Sequence, residues 1–319
     1  MEFFLEKIIR FSRSKAGKIP FAILENILCK VLFFNKNKLF NIFFNYFQLF
    51  SNGKIFSNFR KKKYFLIDKL EKDNSFNSKV IQEVNINSYC LLGKSDSNLI
   101  NSGRDFFLNQ DFIYNSHIPL DKNQAKPKIK LKDFYSNEKS NYGSFDIKTS
   151  VDCSALFNIS KKFNFKNIAD KYLLSEKSYV YSINTMLTKN SKFYDGVCNL
   201  HRDLDSMSSL TFFIYWTDTD KENGATIIYP GSHCFDQDKN FNKYSNKSSN
   251  LKYLSGESGS VFAVDTWAWH SGNKNIKTNR LVTWVRFTSC PANTYFTDRN
   301  FLFKTELNDF NNKIYDFIK

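Results

Sequence analysis

No two of the six cysteines of this 319-residue chain form a CxxC pair; Cys29, Cys90, Cys153, Cys198, Cys234 and Cys290 are far apart. A chain of this length does not depend on disulfides to fold, so the cysteines read as reduced thiols of a cytoplasmic protein. No stretch reaches about 18 uninterrupted apolar residues, which argues against a membrane-spanning helix. Glu2 and Glu6 interrupt the apolar N-terminus, and no small-residue cleavage site follows, so no signal peptide is expected. No internal repeat is visible. Acidic residues are short in number, 31 against 46 Lys and Arg, for a formal net charge of +15. With 42% hydrophobic and 17% aromatic residues, a disordered chain is excluded.

The basic excess is concentrated at one end. Residues 1–70 hold 14 Lys and Arg and only 4 Asp and Glu. A nucleic-acid binder spreads its positive field over the working surface and interleaves it with aromatics across a sheet face. The rest of the chain lacks that pattern, so no nucleic-acid partner is expected. Residues 2–12 and 20–34 have helical spacing, the second with Pro20 at a first helical position. Residues 39–50 are apolar and aromatic, and the run Arg60-Lys61-Lys62-Lys63 follows. One reading of residues 1–63 is weak peripheral contact with an anionic membrane. The other, which is favoured, is a helical layer packed on the main domain. The division expected is a basic N-terminal segment, 1–70, and a main domain, 71–319.

Residues 71–150 show no firm periodicity, and 121–142 read as an exposed loop. From about 178 the texture becomes short β-branched and aromatic runs at 178–188, 209–216, 225–229, 259–265 and 280–289, with turns at Asn223-Gly224, Pro230-Gly231 and Ser271-Gly272. The expected fold is mainly β with flanking helices, around a double-stranded β-helix (jelly-roll, cupin-like) core at about 178–290. Residues 300–319 return to a helical pattern.

Only four histidines occur: His117, His201, His233 and His270. In His201-Arg202-Asp203, residues i and i+2 of an extended chain project to one side, so His201 and Asp203 are placed to face one metal ion. His270 lies on a distant strand that a barrel would bring alongside. Two imidazoles and a carboxylate on one face leave three adjacent coordination positions, the ligand set of non-haem Fe(II) oxygenases. Arg280 opens the last strand, where a guanidinium at the barrel mouth would clamp a carboxylate such as the far end of 2-oxoglutarate. Arg286 shares that strand face but lies about 20 Å further along, too far for the same carboxylate.

Residues 199–290 resemble the phytanoyl-CoA dioxygenase-like branch of the Fe(II)/2-oxoglutarate oxygenases. The matching stretches are His201-Arg202-Asp203, the run from Asn223-Gly224 to Pro230-Gly231-Ser232-His233, and His270-Ser271-Gly272 followed by Asn275 and Arg280. The resemblance implies Fe(II) on His201, Asp203 and His270, 2-oxoglutarate as co-substrate on Arg280, and O₂. It implies hydroxylation of a C–H bond of a small-molecule or acyl- or lipid-linked substrate, with release of succinate and CO₂. Retention of Asp203 disfavours halogenation. Two positions depart from the pattern: Ser260 stands where the family often has Asp, and Val282 where other branches have Ser.

His233 is expected to pin its loop by hydrogen bonds, and His117 to be an ordinary surface residue. Trp267 and Trp269 suit the pocket or the core. Tyr194 and Asn199 are candidate pocket residues, Asp205 a turn residue and Met207 a packing residue. The alternative function, from a different class, is a non-catalytic jelly-roll binding module that retains the metal motif.

Overall fold

The computed structural model describes residues 67, 75–110, 112–115, 128–137, 142–175, 178–190, 200–203, 209–234, 250–273, 277–288, 310, 312 and 313. The expectations for 2–12, 20–34, 39–50 and 60–63, and most of 300–319, fall outside them. Among the described residues no helix is long and apolar enough to cross a membrane.

Two antiparallel sheets form the centre. The larger joins, in chain order, β1 (Tyr89–Lys94), β2 (Phe112–Asn115), β3 (Lys128–Lys130), β4 (Tyr142–Ser144), β5 (Tyr179–Thr188), β6 (Ser209–Tyr215), β9 (Ser260–Val264) and β11 (Arg280–Thr288). Their spatial order is β1-β9-β6-β11-β5-β4-β2-β3. The smaller sheet, β10-β7-β8, consists of His270–Gly272, Thr226–Ile228 and Lys252–Leu254. The five runs read as strands from 178 onward all form strands within a residue or two of their expected ends.

Side-chain parity along the central strands divides the interior into two layers. On β6, Leu210, Phe212 and Ile214 face the helices, as do Leu281, Val285 and Phe287 on β11. The helices are α1 (Phe76–Asn87), α2 (Ser97–Leu108), α3 (Leu131–Ser136), α4 (Ile147–Asp152), α5 (Ser154–Lys162) and α6 (Phe165–Tyr172). Phe165 at the start of α6 stacks on Phe212 with ring centres 3.9 Å apart. The opposite parity, Phe213 and Tyr215 on β6 with Val282 and Trp284 on β11, packs toward the small sheet against Ile228 and Leu254. Each large apolar side chain so removed from water contributes about 1.5–3 kcal/mol. Arg280 and Arg286 belong to this second face, which positions the site.

The expectation of an exposed loop at 121–142 is corrected within its described part. Residues 128–130 form a strand and 131–136 a helix, with Phe134 fully buried. Lys189 donates to the carbonyls of Phe134 and Asn137, at 2.9 and 2.6 Å, and ties that helix to the end of β5. The surrounding lysines hid the apolar spacing of Ile129, Leu131 and Phe134. The described parts of 71–150 likewise form helices and strands, and α1 buries Val80, Ile81 and Val84 on one face.

Candidate metal centre

His201 and His270 are joined through their backbones before their side chains are considered. His201 N donates to His270 O at 2.8 Å and His270 N to His201 O at 2.9 Å, a reciprocal antiparallel pair that extends the small sheet. Two residues on, Asp203 N donates to Thr266 O at 3.0 Å. The polypeptide leading to His270 is fixed by Asp265, which is fully buried. Its carboxylate accepts from Tyr172 Oη at 2.7 Å and from Trp267 N at 3.0 Å, so α6 and the turn after β9 share one anchor.

The side chains of His201, Asp203 and His270 then converge, with one ligand atom of each within 4.8 Å of the others. His201 Nε2 stands 3.7 Å from Asp203 Oδ1, and His270 Nε2 stands 3.7 Å from Oδ2. These separations exceed hydrogen-bond range, so the three donors are turned to one point without bonding one another. His270 Nδ1 lies 2.9 Å from the Ala268 carbonyl. A carbonyl only accepts, so Nδ1 carries the proton and the Nε2 lone pair faces Asp203. Burial pushes the His270 imidazole below its ordinary pKa, against the pull of Asp203, and favours the neutral form. Burial raises the Asp203 carboxyl, but the Arg286 guanidinium above all, with the neighbouring imidazoles and a hydrogen bond from Thr266, more than offsets it, so the group sits below the usual carboxylate range. The His201 side chain is 41% exposed, against 11% for Asp203 and 7% for His270, so the cluster opens toward solvent on the His201 side.

Of the two arginines of β11, Arg286 touches the cluster and Arg280 lies further along the same strand face. Arg280 is buried, its guanidinium 5.6 Å from the Tyr215 ring centre and its Nη2 3.4 Å from Thr226 Oγ1. Tyr215 in turn donates to the Leu254 carbonyl at 2.7 Å. Arg286 Nη2 lies 2.8 Å from Asp203 Oδ2, an ion-pair contact out of line for a hydrogen bond.

The Pro230-Gly231-Ser232-His233 turn braces this arrangement. Arg202, between the two residues of the His-X-Asp triplet, donates to Ser232 O at 2.7 Å and lies 4.8 Å from the Trp269 ring centre. Trp269 N donates to Ser232 Oγ at 2.8 Å. One serine thus reaches the neighbours of both histidines. Buried His233 has a partner on each ring nitrogen: Nε2 donates to Asn85 O at 3.1 Å, and Nδ1 accepts from Ser88 Oγ at 2.6 Å. Ser88 Oγ also accepts from Gly231 N at 2.9 Å, and Gly231 has φ +70°, where a residue without Cβ is unstrained. His233 is therefore a loop pin.

A family model for phytanoyl-CoA dioxygenase (PhyH) matches residues 102–280, more than half of the chain. The chain belongs to the phytanoyl-CoA dioxygenase family. No curated protein matches it. Among solved structures, EctD from S. alaskensis with 2-oxoglutarate and 5-hydroxyectoine is 14% identical, with a TM-score of 0.50 over 70% of this chain and 80% of that one. The non-heme alpha ketoglutarate dependent carbocyclase SnoK from nogalamycin biosynthesis is 13% identical, with a TM-score of 0.49 over 69% of this chain and 85% of that one. The likeness to EctD is one of fold.

As a phytanoyl-CoA dioxygenase family member the protein is a 2-oxoglutarate-dependent dioxygenase, with Fe(II) as cofactor and 2-oxoglutarate and O₂ as co-substrates. The donor set fits a ferrous ion: two imidazole nitrogens and a carboxylate, one imidazole fixed in the tautomer that a metal ligand needs. The family match begins well upstream of residue 199, where the sequence resemblance started. Tyr194, Asn199, Asp205, Met207, Asn275 and His117 lie outside the described residues. Trp267 is buried, and Trp269 stacks with Arg202. Sequence reasoning missed Asp265, Thr266, Ser88 and the placement of Arg286 beside Asp203. Only the buried Asp265 carried a signal, a carboxylate closing an otherwise apolar strand.

Proposed function

We propose that the protein hydroxylates a C–H bond of a small-molecule substrate, free or carried on an acyl or lipid group, with His201, Asp203 and His270 holding Fe(II) and Arg280 binding the far carboxylate of 2-oxoglutarate. The observation that carries this reading is the convergence of two imidazole nitrogens and one carboxylate within 4.8 Å on a family jelly roll. Fe(II), when bound, supplies the redox chemistry that couples decarboxylation of 2-oxoglutarate to succinate and CO₂ with oxidation of the substrate.

The protein's own part is binding and orientation. Neutral His270 offers its Nε2 lone pair because Ala268 O occupies Nδ1. Arg280 presents a buried forked donor where a carboxylate gains most from pairing. The Thr226 hydroxyl and the Tyr215 ring stand beside it. The exposed side of His201 gives the substrate its approach, while the buried side shields Asp203 and His270 from water. Asp203→Ala is expected to abolish iron-dependent succinate formation from 2-oxoglutarate with the fold retained. Unchanged succinate production would overturn the reading, and a wild-type chain that forms none with any substrate would favour the binding-module alternative.

A further inference from the structure

The reaction assigned to the centre uses Arg280 but gives no task to the second arginine of the same strand face. Arg286 lies opposite Thr211 on β6 and Ser182 on β5, three residues of like parity beyond Arg280. A guanidinium on this face, next to Trp284 and the apolar inter-sheet layer, is costly to bury without a counter-charge. Its counter-charge is a residue of the metal cluster, because Nη2 stands 2.8 Å from Asp203 Oδ2.

A carboxylate on a single methylene turns easily about its last torsion, since that terminal torsion has broad wells. Its rotation decides which oxygen meets the imidazoles. In this chain Oδ1 is directed at His201, Oδ2 faces His270 at 3.7 Å and pairs with Arg286 at 2.8 Å, and Thr266 bonds the carboxylate from the turn after β9.

We infer that Arg286 is the positioning residue of Asp203: it anchors Oδ2 and fixes the rotation of the carboxylate, so that Asp203 meets the metal through one oxygen. The consequence is a coordination count. A carboxylate using both oxygens would take four positions with the two imidazoles, one more than a chelating 2-oxo acid and O₂ can spare on a six-coordinate ion. The inference rests on the metal-centre reading above and adds a residue to it.

Calorimetric titration of Co(II) into the metal-free full-length protein tests it, with wild type, Arg286→Lys and Arg286→Gln compared and melting temperatures read alongside. Removing a cation from beside a metal site tightens metal binding if charge alone matters, whereas removing a positioning contact weakens it. The expected result for Arg286→Gln is Co(II) binding weaker by about 10- to 100-fold, the usual effect of losing a partner that orients a ligand. Arg286→Lys, which keeps the charge but not the planar fork, should fall between Gln and wild type, and it decides the matter if the Gln variant does not fold. Unchanged or tighter Co(II) binding in the variants overturns the inference while leaving the centre intact. Wild-type protein that takes up no Co(II) overturns the centre and the inference together.

Discussion

The main chains of His201 and His270, 69 residues apart in sequence, exchange both of their hydrogen bonds, at 2.8 and 2.9 Å, and set their rings 4.4 Å apart. Neither bond involves a side chain, so the scaffold and the metal-binding function separate cleanly. His270→Ala should keep the sheet, at a cost of about 1 kcal/mol, and lose metal binding and all metal-dependent turnover. A thermal melt and an Fe(II) titration under anaerobic conditions check the two halves.

Arg280 and the triad are served by different contacts. Arg280→Gln should therefore leave metal affinity unchanged and raise the apparent KM for 2-oxoglutarate. Loss of a charged hydrogen-bond partner costs about 1.5–3 kcal/mol, or roughly a 10- to 100-fold change. Steady-state kinetics varied in 2-oxoglutarate read it, and a loss confined to metal affinity would reassign the residue.

Gly103 on α2 faces the buried ring of Trp216 so closely that a Cβ would overlap it. Trp216 is held in place, since Nε1 donates to Thr283 Oγ1 at 2.8 Å and the ring packs on Phe107. Gly103→Ala would gain about 1 kcal/mol of helix propensity and lose about 1–3 kcal/mol or more to overpacking. The net expectation is a lower urea midpoint, although the same substitution stabilises an exposed helix.

Asp146 caps α4 by accepting from Thr149 N at 2.6 Å and pairs with Lys128 on β3. Burial pushes its carboxyl up, but Lys128 and Thr149 more than offset that and hold it below the usual carboxylate range. A carboxyl whose folded pKa is depressed stabilises the fold above its unfolded value, about 3.9, and the contribution disappears as pH falls through the folded value. Asp146→Asn keeps a capping oxygen but loses the charge that pairs with Lys128, so it should be less stable than wild type at neutral pH by about 0.5–1 kcal/mol. The two should converge as the pH falls through the depressed folded value, as chemical denaturation across an acid pH series would show.

Much of the core was legible because parity is a local property. Leu210, Phe212 and Ile214 alternate with Phe213 and Tyr215 in sequence as they do between the two layers, so the strands from 178 onward could be read directly. The His-X-Asp triplet and the Pro-Gly-Ser-His turn were legible for the same reason, as short stretches of fixed spacing. The strand and helix at 128–136 were not, since five lysines between 122 and 132 dilute their apolar signal and Phe134 finds its cover only in the folded domain. The sequence put Arg286 out of reach of the carboxylate proposed for Arg280, and it had no means of seeing that Asp203 would arrive from another loop to meet it.

What the chain carries in its order of residues is chemistry and periodicity: two imidazoles, a carboxylate and a guanidinium of the right kinds, and strands whose alternating faces require two layers. What folding alone decided is proximity across long separations. The backbone pairing of residue 201 with 270, the anchoring of Asp265 by Tyr172, and the contact between Arg286 and Asp203 each depend on how strands twist and turns close. The physical reason is range: side-chain parity is set by a residue's immediate neighbours, whereas an ion pair between distant segments exists only after the sheets have brought them within a few ångströms.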